Sequence, residues 1–131
     1  MSYQHIILKD DKVIMGEGYG NTQQKRFFEI NEDTLMDIEA FMIYVVWDDF
    51  VEMNQIYVGT QHRQKGLGHK LFDVLEDKAV SIGRPCIKIR IMIDESNGNP
   101  MWNLLTSRKY QPKLLDVALP ELGREIWYKK L

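Results

Sequence analysis

Phe50-Val51-Glu52-Met53-Asn54-Gln55-Ile56-Tyr57-Val58, then Gly59-Thr60-Gln61-His62, then Arg63-Gln64-Lys65-Gly66-Leu67-Gly68, is the stretch from which the fold is read. The first nine residues make an apolar segment of strand character. After Gly68, the residues Leu71, Phe72, Leu75, Ala79 and Ile82 return every three or four positions, which predicts a helix with one buried stripe. Gly83 supplies a residue able to end it. Between strand and helix, Gly66 and Gly68 carry no side chain, so backbone N–H groups can close around an anion at the positive end of the helix dipole. Arg63 and Lys65 add two cations to the same turn. The expectation is strand, phosphate-binding turn, helix, with a pyrophosphate seated on the turn.

Two common phosphate loops are excluded by the letters. A Walker A loop ends in Gly-Lys-Ser/Thr, whereas Gly68 is followed by His69-Lys70-Leu71; a dinucleotide fingerprint needs a third glycine where Leu71 stands. Working outward, the 131 residues suit one domain over residues 1–131, and 44% apolar with 27% charged residues is ordinary for a globular chain. The longest apolar run, Ala40 to Trp47, is too short to span a bilayer, and Met1 to His5 lack a basic start and apolar signal region, so the chain is expected in the cytoplasm. The single cysteine, Cys86, opens an Ile-rich strand and reads as a buried small hydrophobe, not a nucleophile.

Toward the N-terminus, Ile6-Ile7-Leu8 and Val13-Ile14-Met15 flank the polar Lys9-Asp10-Asp11-Lys12 and read as a hairpin. The alternating glycines of Gly16-Glu17-Gly18-Tyr19-Gly20-Asn21 are expected to break regular structure and make a loop. Gln24 to Ile30 reads as a further strand, while Asn31 to Ala40 fits a short helix or the run-in to the next strand. Phe41 to Trp47, β-branched and aromatic, is expected to pair antiparallel with the strand from Phe50 through an Asp48-Asp49 turn. Beyond Gly83, Ile87, Ile89, Ile91 and Ile93 alternate with Lys88, Arg90 and Met92, a strand with one buried face. The helical crossover makes it parallel to the strand before the loop. Pro100 opens a second helix through Lys109, with Met101, Leu104 and Leu105 inward; final strands are expected at Lys113 to Leu119 and Arg124 to Leu131. The fold class is α/β in the α+β sense: a mostly antiparallel central sheet with one parallel crossover.

Arg63-x-x-Gly66-x-Gly68 between strand and helix resembles the loop of the GNAT superfamily of acyl-CoA-dependent N-acyltransferases, and the likeness covers roughly Ala40 to the C-terminus. The resemblance implies acetyl-CoA as co-substrate and no metal. It implies that the main chain of Gln64, Lys65, Gly66, Leu67, Gly68 and His69 holds the pyrophosphate, with Arg63 opening the motif. It further implies that the strand carrying Ile56, Tyr57 and Val58 splays from its neighbour to admit the pantetheine arm, and that a backbone N–H near Tyr57 or Val58 polarises the thioester. The family's second helix commonly reads Asn-x-x-Ala-x-x-Leu-Tyr-x-x-x-Gly-Phe. Placing Tyr110 on the Phe puts Lys109 on the Gly and Leu105 on the Tyr that often serves as general acid; the Asn position falls on Gly98, flanked by Asn97 and Asn99. The chain thus lacks that Tyr, and the N-terminal portion that bears the family's acceptor site is abbreviated.

Transfer to an amine needs a base, because amines are mostly protonated at neutral pH. Glu52, a carboxylate inside a weakly charged strand, is the candidate; several family members carry a general-base Glu at the matching place. It stands an even number of residues from Val58, so without a bulge the two share a face. Phe27 to His62 contains eight acidic residues and no Lys or Arg, leaving 17 basic against 11 acidic elsewhere. That asymmetry fits a cationic amine acceptor beside a phosphorylated co-substrate, or simply a solvated acidic face. The expected partners are a small-molecule or peptide amine, with no nucleic acid, no membrane, and a homodimer left open. The alternative function is a non-catalytic acyl-CoA-binding or regulatory module.

Overall fold

The computed structural model describes residues 3–18, 38–62, 65–92, 100–112 and 124–131. Among the described residues seven strands form one sheet in the order β2-β1-β3-β4-β5-β7-β6: β1 Tyr3–Lys9, β2 Lys12–Gly18, β3 Ala40–Val46, β4 Val51–Val58, β5 Cys86–Met92, β6 Gln111–Pro112 and β7 Arg124–Lys130. Every pairing is antiparallel except β4 with β5, which the helical crossover α1, Leu67–Ser81, makes parallel. A second helix, α2, spans Pro100–Ser107. No helix among the described residues is long and apolar enough to cross a membrane.

The β1–β2 hairpin turns on Asp10 and Asp11, whose φ of 49° and 61° give the two left-handed residues that match strand twist. β2 continues through Gly16 to Gly18 opposite His5 to Tyr3, correcting the expected loop from Gly16 for its first three residues. A Cβ at Gly16 would lie 3.0 Å from the His5 ring, so this glycine makes room for a cross-strand neighbour and does not break the strand. The expected strands at Gln24 to Ile30 and Lys113 to Leu119, and the segment Asn31 to Asp37, lie outside the described residues.

The periodicity of α1 translates into burial: Leu71, Phe72, Leu75 and Ala79 are fully buried with Ile6, Leu8, Met42, Tyr44, Val51, Met53, Ile87 and Ile89 on one face of the sheet. Each such Leu or Phe contributes roughly 1.5–3 kcal/mol by leaving water. Ile7, Ile38, Phe41 and Ile43 form a smaller cluster on the other face. The alternation of β5 holds, with Ile87 and Ile89 at 0% exposure while Lys88 and Arg90 face the other side. Cys86 is half-buried, less enclosed than its sequence context suggests.

α2 ends on a left-handed residue, as the resembled pattern implies although its letters differ. Lys109 occupies the Gly position with φ of 68°, and Tyr110 N–H returns to Leu105 O at 2.9 Å. Arg108 ties α2 to α1, donating through Nε to Glu76 Oε2 at 3.0 Å, through Nη2 to Asp73 at 2.6 Å and through Nη1 to His69 O at 3.2 Å. Lys129 of β7 joins the same carboxylate of Glu76.

Candidate active site

Two features of β4 shape the site. First, its pairing with β3 shifts register between Ile43 and Tyr44: Tyr44 faces Met53 while Ile43 faces Gln55, so Asn54 is an extra residue. Second, pairing with β5 covers only Val51–Ile87, Glu52–Lys88 and Met53–Ile89, and stops where the bulge begins. From Asn54 to Val58 the strand keeps β3 and leaves β5, and Ile56, Tyr57 and Val58 lie along the opening. A bulge bends its strand, which accounts for the splay.

The bulge also inverts the alternation. Before it, Val51 and Met53 face the main core; after it, Ile56 and Val58 pack against that core, and Tyr57 stacks on Phe41 of the opposite face at 5.5 Å. Glu52 therefore shares a face with Tyr57 and not with Val58, correcting the even-spacing expectation through the condition attached to it.

Beyond β4, a short 3₁₀ turn, Thr60–His62, leads toward the glycine turn. Arg63 and Gln64 fall outside the described residues, as do Asn97 and Asn99. Gly66 has φ of 76°, a left-handed backbone that L side chains resist, and begins α1 without any side-chain cap. Lys70 N–H is bonded to Gly66 O at 3.1 Å, so the amides of Leu67, Gly68 and His69 precede the first helical bond. Lys65, Gly66 and His69 are exposed. Such a turn can hold an anion. Gly68 also makes room for α2: a Cβ there would stand 3.0 Å from Leu104 Cδ2, so its missing side chain admits that helix.

Glu52 is buried, 8% exposed, and both carboxylate oxygens are engaged. Trp47 Nε1–H donates to Oε2 at 3.0 Å, and Arg90 Nε forms an ion pair with Oε1 at 3.1 Å. Trp47 is fixed by the tight β3–β4 turn, where its N–H bonds Phe50 O at 2.8 Å and its ring stacks on Phe50. Sequence reasoning missed Trp47, Arg90 and Lys88. A partly buried Trp needs an acceptor for its N–H, and the alternation of β5 already put both cations on one face, so signals existed for all three.

The position at which the resembled pattern carries a tyrosine holds no phenol here. Leu105, at that position, is fully buried in the core. Tyr110 is buried against Phe72, and burial, reinforced by Glu76, pushes its phenol up from the ordinary tyrosine range. It is a packing residue.

The Acetyltransferase (GNAT) family model matches residues 3–104. No functionally curated protein matches the chain in sequence. Among solved structures, a protein assigned as an acyl-CoA N-acyltransferase from Klebsiella pneumoniae superposes with a TM-score of 0.62 at 25% identity, over 72% of this chain and 65% of that one, just under two thirds of its length. A GNAT family acetyltransferase from Elizabethkingia anophelis, solved with acetyl-CoA bound, superposes at 0.58 with 15% identity over 79% and 82% of the two chains. The ribosomal-protein-S18-alanine N-acetyltransferase of Escherichia coli does so at 0.56, with 19% identity over 72% and 61%.

Proposed function

We propose, because the chain belongs to the GNAT acetyltransferase family, that it moves an acetyl group from acetyl-CoA to a primary amine, with Glu52 as general base. The observation that carries this reading is the junction at Met53 and Asn54: a carboxylate buried one residue before the point where β4 parts from β5. The co-substrate supplies the thioester carbon and the thiol leaving group when bound. Lys65, Gly66, Leu67, Gly68 and His69 would hold its pyrophosphate, with Arg63 and Gln64 completing the turn, and Ile56, Tyr57 and Val58 would line its arm. Glu52 would take one proton from the acceptor's ammonium, directly or through a water, leaving a lone pair to form the new C–N bond as the C–S bond breaks, and the nitrogen's second proton would leave with the sulfur as the thiol. The acceptor's amine arrives as an ammonium in this reading, which suits the acidic block from Glu29 to Glu52.

A second reading, a binding module without turnover, is favoured by one observation, the apolar Leu105 at the general-acid position. Thiol release from acetyl-CoA, measured over a panel of amines beside calorimetric binding, separates the two. Release that depends on an amine is expected. Tight binding with no release on any amine would support the module instead.

A further inference from the structure

The face of the sheet that carries Glu52 has a cleft of about 100 Å³ beside it, lined by Phe50, Glu52, Lys88, Ile89, Arg90 and Ile126. Its charges come from both halves of the chain: Glu52 closes the acidic block, while Lys88 and Arg90 belong to the basic remainder. Lys88 is the strand partner of Glu52, and Arg90 stands two residues further along β5, so both cations and the carboxylate share one wall. Arg90 meets Glu52 through Nε, and its side chain remains 48% exposed. Bonding through Nε keeps the Nη fork available for a planar oxyanion. Lys88 Nζ lies 4.1 Å from the centre of the Phe50 ring, and among the described residues no carboxylate pairs with it. One carboxylate thus faces two cations in a hollow sized for a small headgroup.

Resting on the acetyltransferase reading above, we infer that the acceptor carries an anionic group next to its amine, and that Arg90 and Lys88 bind this anion while the amine is presented to Glu52. The acceptor class is an amino acid or another small amine bearing a carboxylate or phosphate. Three features support this over an acceptor whose only charge is positive. A purely cationic ligand would meet two like charges within the cleft, which costs affinity. The local excess of positive charge is offset when an oxyanion enters. The Arg90–Glu52 pair holds the two recognition elements at one spacing, so an amine and an oxyanion a few bonds apart can engage both together. Glu52 would then take the ammonium end, and the cations of β5, which belong to the other half of the chain, would fix the other end.

The test compares matched acceptors: each α-amino acid against its α-carboxamide, and phosphoethanolamine against ethanolamine. kcat/KM is measured by thiol release, and binding of the same compounds to the coenzyme A-saturated protein is measured by ligand-observed NMR. At least one anion-bearing member is expected to exceed its neutral counterpart by roughly tenfold to a hundredfold, the scale of one charge-assisted hydrogen bond. Arg90→Gln should bring that ratio close to one, Lys88→Gln should reduce it, and Arg90→Lys should restore part of it. The ratio is decisive, since Arg90→Gln also changes the surroundings of Glu52 and lowers absolute rates for both members. A carboxylate preference with no phosphate preference identifies the amino-acid source, and the converse the phosphorylated one. Turnover without any anion preference, or a preference untouched by Arg90→Gln, overturns the inference and leaves the acetyltransferase reading standing. Anion-selective binding that Arg90→Gln abolishes, with no turnover, sustains the inference and defeats that reading. Failure of every anion-bearing compound to bind or react overturns it as well.

Discussion

Replacing Glu52 with Gln is expected to lower turnover by roughly 10²- to 10⁴-fold at neutral pH, with coenzyme A affinity unchanged. The side chain is buried one residue before the parting of β4 and β5, and the substitution is isosteric, so Trp47 keeps an acceptor for its N–H. Basicity is lost while the volume is kept. The deficit should shrink as pH rises, because more of the acceptor amine is then already neutral. A structural role, in which Glu52 only neutralises Arg90, would lower the melting temperature and give a deficit independent of pH. Turnover within about threefold of the parent at neutral pH, where chemistry is shown to be rate-limiting, would contradict the base assignment.

The second large effect is expected at Gly66. With φ of 76° at the start of α1, this residue sets the direction of the amides that follow, and nothing lies within 4 Å of where a Cβ would stand. Gly66→Val would force a β-branched residue into a left-handed backbone, at a cost of about 1–3 kcal/mol, and the turn relieves that strain by rotating its peptide planes. Losing one charge-assisted hydrogen bond to a phosphate corresponds to roughly a tenfold to hundredfold weaker coenzyme A affinity by calorimetry. Gly66→Asn, which tolerates the left-handed region, should keep most of the affinity. Equal affinity in parent and folded Gly66→Val would mean that the turn does not hold the ligand. Gly68 is a poorer probe, because substitution there presses on Leu104 and disturbs the packing of α1 against α2.

The strand–turn–helix unit was legible because its signals are local: the stripe of Leu71, Phe72, Leu75 and Ala79, and the glycine opening a helix without a side-chain cap. Lys109 stands on a glycine position of the family pattern, and its φ of 68° agrees. What escaped depends on partners distant in the chain. The bulge at Asn54 exists only relative to β3, so the spacing of Glu52 and Val58 could not reveal that they face opposite sides. The neighbour of Gly68 is Leu104 of another helix, and the partners of Glu52 are Trp47 and Arg90, both distant in fold or sequence from the glycine turn. The charge count along the chain separated an acidic segment from a basic remainder, yet folding sets Lys88 directly beside Glu52. Linear charge blocks describe segments, and a binding cleft samples several of them at once.

The most direct measurement is a titration of coenzyme A into the ¹⁵N-labelled protein, followed amide by amide. The largest shifts are expected at Leu67, Gly68 and His69, whose N–H groups precede the first helical bond of α1, and along Ile56 to Val58, where β4 leaves β5. Saturating coenzyme A that leaves both groups of amides unmoved, or that shifts a different surface, would contradict the placement of the acyl donor and the mechanism built on it.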